Sequence, residues 1–142
     1  MIAIESKTVN RDDFYFTLMT SKNGIAPELI SYKEIGNQFV IEMEKCPNLL
    51  AFSNQYLTTY REKVKEQIRK LHSLGIYHGN LSSENIVINP VTDGVMFIDF
   101  SQSEWIVDRK QKSLYKDLTP EVVKNYLERD EIANVMRLEF VL

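Results

Sequence analysis

Near the middle of the chain, His78, Asn80, Asn85 and Asp99 are residue types that could do chemistry together. Asn85 and Asp99 supply one amide carbonyl and one carboxylate oxygen, hard donors suited to a cation of the magnesium type. Between them lie two short apolar runs, Ile86-Val87-Ile88 and Val95-Met96-Phe97-Ile98, around Asn89-Pro90-Val91-Thr92-Asp93-Gly94. The closing Asp-Gly is strong turn chemistry, so a tight hairpin is predicted, and its folding back brings Asn85 near Asp99. The same residue types at strand ends also serve simply to hydrogen-bond neighbouring backbone, and both readings stand at this point. Asn80 can position a hydroxyl by hydrogen bonding, but its amide cannot take a proton or offset charge as a carboxylate can.

Other elements must deliver these residues. The clearest is a helix from about Gln55 to Leu74, with Leu57, Tyr60, Val64, Ile68 and Leu71 on one face and Arg61, Glu62, Lys65, Glu66, Arg69 and Lys70 on the rest. Gly75, able to take a left-handed conformation, is expected to end it and to release the chain toward His78. Upstream, residues 1–9 read as a strand with Ile2-Ala3-Ile4 as its apolar part, and Arg11 to about Thr20 as a helix through Phe14, Tyr15 and Leu18. Leu29–Tyr32 and Gln38–Met43 read as a hairpin turning at Gly36-Asn37. Downstream, Ser101 to Leu118 is expected to be a loop held by Trp105 and Tyr115. Thr119-Pro120-Glu121 starts a helix, and a last helix or strand runs from Glu131 to Leu142.

Composition bounds the possibilities. A chain of 142 residues, 44% apolar and 26% charged, suits one compact domain with a real core. A net charge of −3 with no long basic run gives no electrostatic case for nucleic acid or an anionic membrane. Cys46 alone cannot form an internal disulfide, and the first residues lack the apolar run of a signal peptide, so a reducing, cytoplasmic setting is expected. No stretch approaches the roughly 20 consecutive apolar residues that cross a bilayer.

His78-Gly79-Asn80-Leu81 with Asn85, followed by Ile98-Asp99-Phe100-Ser101, resembles the catalytic centre of a protein kinase, H-R-D-L-x-x-x-N and then D-F-G. His78, Leu81 and Asn85 keep their places. Asn80 stands at the catalytic aspartate, Gly79 at the arginine and Ser101 at the last glycine, which makes an HGN loop and a DFS motif. Leu71 to Leu81 is similar to the end of the long C-lobe helix entering that loop, and Gly79 resembles the H-G-D variant of small atypical kinases. Phe39 to Cys46 resembles the fifth strand and hinge, which would put Met43 at the gatekeeper and Glu44 to Cys46 along the adenine edge; a plain core strand also explains them. Arg11 to Leu18 would be the helix of the lysine-pairing glutamate, with only Asp12 or Asp13 near the expected place. Ile2-Ala3-Ile4-Glu5 echoes V-A-I-K with Glu5 where the lysine belongs, and neither G-x-G-x-x-G nor A-P-E is found.

The resemblance implies an α+β, reduced protein-kinase-like fold in a single domain: a small N-terminal antiparallel sheet with one helix over residues 1–45, and a truncated helical C-lobe over 46–142. It implies ATP and Mg2+ as cofactors, with Met43, Glu44 and Cys46 on the nucleotide and Asn85 and Asp99 on the metal. In kinases the loop aspartate orients or accepts the proton of the substrate hydroxyl, help typically worth about 10² to 10⁴ in rate, and Asn80 lacks that capacity. Ser82 replaces the lysine that usually follows, and no lysine is placed for the phosphates. His78 is expected to brace the loop, His72 to lie at the surface or cap a helix, and Cys46 to act as a small buried hydrophobe. The expected function is that of a pseudokinase that binds or mimics part of another protein, a kinase or a second copy of itself among the candidates. The alternatives are a residually active phosphotransferase, with Asn80 tolerated or engineered, and a Mg-ATP-binding switch without turnover.

Overall fold

The computed structural model of the protein describes residues 3–49, 55–110 and 118–141, with the side chains of 55–59, 110 and 136–141 outside the description. The chain opens with β1 (Ile4–Asn10), α1 (Arg11–Lys22), β2 (Leu29–Ile35) and β3 (Gln38–Glu44). These strands form an antiparallel sheet in the order β1-β3-β2, with Lys7 opposite Ile41 and Glu5 opposite Met43. Period-two alternation decides which side chains of β1 face the molecule: Glu5, Lys7 and Val9 point inward while Ile4, Ser6 and Thr8 are exposed. Asn10 starts α1 by accepting the Asp13 N–H at 2.8 Å, and Asp12 and Asp13 lie at the favourable end of the helix dipole. Phe14 then stacks on Phe39 at 4.0 Å, joining the helix to Val9, Ile41 and Met43 in a small apolar layer.

The larger core gathers around α2 (Gln55–Ser73). Val64, Ile68 and Leu71 are buried against Phe16 of α1, Ile25, and the hairpin strands β5 (Ile86–Ile88) and β6 (Val95–Phe97). Ile68 and Leu71 have no exposed surface, and full burial of each is worth about 1.5–3 kcal/mol. Gly75, at φ +84°, stops the helix in the left-handed region and turns the chain into the two-residue strand β4 (Ile76–Tyr77). Among the described residues no helix is long and apolar enough to cross a membrane.

The structure departs from the sequence reading downstream of Phe100. Residues 101–110 are not simply a loop: β7 (Glu104–Trp105) pairs with β4, and α3 (Ile106–Lys110) follows. Backbone pairing to Ile76 and Tyr77 supplies order that a polar, aperiodic segment does not announce. Trp105 does anchor, packing on Phe16 at 5.1 Å between ring centroids, whereas Tyr115 lies outside the described residues. Nor is there a separate element at Glu131: α4 runs unbroken from Pro120 to Val141, with Val123, Leu127 and Val135 buried at helical spacing.

Candidate functional site

The loop that follows β4 is built around a buried histidine. His78 is 0% exposed, with its ring against Phe100 at 5.1 Å and edge-on to Phe97 at 6.2 Å. Its Nδ1 accepts the Asn80 N–H at 3.2 Å, so Nε2 carries the hydrogen and donates to the Ile98 carbonyl at 2.9 Å. Burial pushes the imidazole below its ordinary pKa, against the Ile98 bond and the nearby carboxylates, and the neutral ring satisfies both bonds. His78 therefore ties the loop to the residue preceding Asp99.

Two further bonds close the ring of contacts. Asn85 Nδ2 donates to the Asn80 carbonyl at 2.9 Å, and the Ile98 N–H donates to the Asn85 carbonyl at 2.9 Å. Positions 80, 85 and 99 thus meet on one floor, with the Asn80 side chain exposed. Asp99 has φ +61°, a conformation uncommon for a residue with a side chain and recurrent at functional sites. Its Oδ1 accepts the Ser101 hydroxyl at 2.6 Å and the Ser101 N–H at 3.2 Å. Burial raises the Asp99 pKa, but the Ser101 bonds and the charge of Lys7 outweigh it and hold the carboxyl below its ordinary value. Asn85 Oδ1 and Asp99 Oδ2 have no donor among the described residues, so two oxygens of the right kind stay available.

Beneath the loop lies a buried carboxylate that sequence reasoning missed. Glu131 of α4 is 0% exposed; its Oε1 accepts the Gly79 N–H at 3.0 Å and its Oε2 meets His72 Nε2 at 2.6 Å. His72 is accordingly a buried partner and not a surface or cap residue. The correction arises because α4, distant in sequence, packs across α2. Gly79 itself sits at φ +88°, and a Cβ there would overlap the Gln102 carbonyl oxygen. Glycine is required by both backbone angle and space.

The roof of the site is where the structure corrects the sequence most. Lys7 lies on the inward face of β1 with Glu5, and it is the charge of Lys7 that bears on both Asp99 and Asp13. Asp13 is the acidic residue of α1 that turns inward, buried and bonded to Thr17 Oγ1 at 3.1 Å. Burial raises its pKa, partly opposed by Thr17 and Lys7, with Asp99 adding to the rise. The register of β1 decides it, setting Lys7 on the same face as buried Val9.

Between roof and floor lies a cleft of about 230 Å³, lined by Met43, Cys46, Val87 and Ile98 with Glu5, Glu44, Lys45 and Asn48 at its polar parts. Met43, Glu44 and Cys46 therefore share one wall. Burial and the neighbouring Glu44 push the Cys46 thiol up to about 11, and its S–H donates to Glu44 at 3.7 Å, so it is an unreactive thiol. Among the described residues no three His, Cys, Asp or Glu side chains group as a metal cage.

The family model described as the RIO domain matches residues 19–139. The chain belongs to the RIO domain family. It is thereby a member of the protein-kinase-like superfamily. Its backbone is similar to the kinase PK-1 of Cydia pomonella granulovirus, with a TM-score of 0.60 and 14% identity, over 73% of this chain and 44% of that one. The fold is therefore kinase-like, and the chain spans under half the length of the viral kinase. No curated protein matches it.

Proposed function

We propose that this RIO-domain chain binds Mg-ATP between the β1–β3 roof and the His78 floor but transfers phosphate poorly. Residues 1–45 would form the roof and residues 46–142 the floor of a single domain. The observation that carries this reading is that Asn85 is bonded to the Asn80 carbonyl on the floor while Lys7 and Asp13 lie close enough to Asp99 for their charges to bear on one another. The residue types fit the group: Asn85 Oδ1 and Asp99 Oδ2 take no donor among the described residues, and Mg2+ is commonly held by one or two protein oxygens with phosphates and water completing its shell. Bound Mg-ATP would supply a transferable phosphoryl group. Lys7 would face its phosphates as a cation, Asp13 would orient Lys7, and Met43, Val87 and Ile98 would enclose the base. Asn80 could orient an acceptor hydroxyl by hydrogen bonding but could not receive its proton.

A thermal shift with Mg-ATP tests the binding. Saturating ligand at 100 times Kd stabilises by about 2.7 kcal/mol, so the transition should rise in the native protein and stay put in Asp99→Ala. An identical response of both proteins to Mg-ATP would remove the site from this cleft.

The biological output is then binding of another protein, a kinase or a second copy among the candidates, with nucleotide occupancy as a possible switch. Support comes from the edge strand β2, where Ile30, Tyr32 and Ile35 are exposed beside a backbone edge that pairs with no other strand among the described residues, the kind of surface strand addition uses. Strictly monomeric behaviour in light scattering across a concentration series would count against self-association.

A further inference from the structure

Glu5 is the part of the cleft that the nucleotide reading does not absorb. It stands on the same face of β1 as Lys7 and opposite Met43, so its side chain enters the cleft beside the base wall and not beside the phosphates. Successive same-face residues on a strand lie about 6.5–7 Å apart, which separates the Glu5 carboxylate from the Lys7 reach toward Asp99. Among the described residues Glu5 makes no hydrogen bond or ion pair. The facing surface is apolar, Val87 and Ile98, and the second carboxylate on this wall, Glu44, adds charge of the same sign. The cleft, about 230 Å³, is smaller than the 300 Å³ or so at the low end of ligand pockets.

We infer that Glu5 is the residue that limits nucleotide affinity in this cleft, by placing an unpartnered carboxylate where a purine base would cover it. The inference rests on the proposed nucleotide site. A base laid against Val87 and Ile98 would strip water from the Glu5 carboxylate, and Lys45, which also lines the cleft, forms no ion pair with it among the described residues, so the buried charge would be left unpaired at a cost. Its side chain also takes up the space in which the base would lie. Removing it lifts both penalties while Lys7, Asn85 and Asp99 stay in place.

Isothermal titration decides the matter with four proteins, the native chain, Glu5→Ala, Glu5→Gln and Lys7→Ala, each against Mg-ATP and against adenosine alone. Glu5→Ala should bind both ligands at least about tenfold more tightly, a change of about 1.4 kcal/mol. Glu5→Gln, nearly isosteric and uncharged, should recover the part due to charge and serves as the second variant if the alanine protein folds badly. The gain with adenosine is the distinguishing readout, because repulsion of phosphates at a distance would improve Mg-ATP only. A gain confined to Mg-ATP overturns the placement of Glu5 at the base. Affinities of the Ala and Gln variants within about twofold of native, alongside weakened binding in Lys7→Ala, overturn the role of Glu5 and leave the nucleotide site standing. No binding by any of the four removes the site and the inference together.

Discussion

The floor and the roof of the cleft are built on opposite principles. On the floor, backbone and side chains are bonded to one another: His78 to Asn80 and Ile98, Asn85 to Asn80, Glu131 to Gly79 and His72. On the roof, Lys7 acts on Asp13 and Asp99 through space and forms no direct ion pair among the described residues. A floor of this kind holds geometry whatever stands at position 80, so an amide there costs the fold little. A roof of this kind contributes charge and little stability. The difference teaches that scaffold and charge are separable here: the floor is bonded through the Asn80 backbone and leaves its side chain exposed, while the charged groups of the roof act from a distance.

The sharpest way to break that contrast is to restore the acceptor. Asn80→Asp should raise phosphoryl transfer from labelled ATP by about 10² to 10⁴, the usual worth of a general base. Native protein that already transfers at the rate of the variant would mean that Asn80 is no impairment. Next comes the floor itself. Glu131→Ala leaves the buried His72 and the Gly79 N–H without their partner, and stranding a buried polar group in this way costs about 1–3 kcal/mol. Urea unfolding should show that loss, whereas Lys7→Ala, on the roof, should stay within about 1 kcal/mol of native. Equal losses for the two variants would erase the distinction between the regions.

Gly79→Ala should cost upward of about 2 kcal/mol, because the left-handed angle and the Gln102 carbonyl oppose a Cβ together. Denaturant midpoints measure it. The smallest effect is expected on the roof, at Asp13. Its raised pKa means the folded protein holds that proton more tightly than the unfolded chain, so its contribution to stability falls as pH rises through the interval above the ordinary value. Asp13→Asn keeps an oxygen for Thr17 and should melt a few degrees higher than native at neutral pH, yet bind Mg-ATP more weakly. Asp99 has the opposite sign: its lowered pKa stabilises the fold above the ordinary carboxylate value, and that stabilisation is lost as pH falls through the lowered one. Asp99→Asn should therefore flatten the acid limb of the stability curve.

The floor was readable because it is local. His78 to Asn85 is one short run, and the hairpin that returns to Asp99 is set by Asp93-Gly94 and two apolar strands. The α2 stripe and its Gly75 stop were equally plain, since periodicity and a left-handed glycine are both written in neighbouring residues. What could not be read is everything joined across the chain. Lys7 carries no motif, and its significance depends on the antiparallel register that turns it toward Asp99. Glu131 lies in a helix whose weak amphipathic pattern gave no reason to break or extend it, and its pairing with His72 exists only because α4 crosses α2.

By itself the sequence determined the hairpin, the long helix and the amide at position 80, because turn chemistry, helical period and residue type act over a few neighbouring residues. Tertiary structure alone decided which lysine faces the site, which carboxylate braces the loop and that Glu5 enters the cleft. Those outcomes depend on strand register and helix crossing, which are set by packing among residues far apart in the chain.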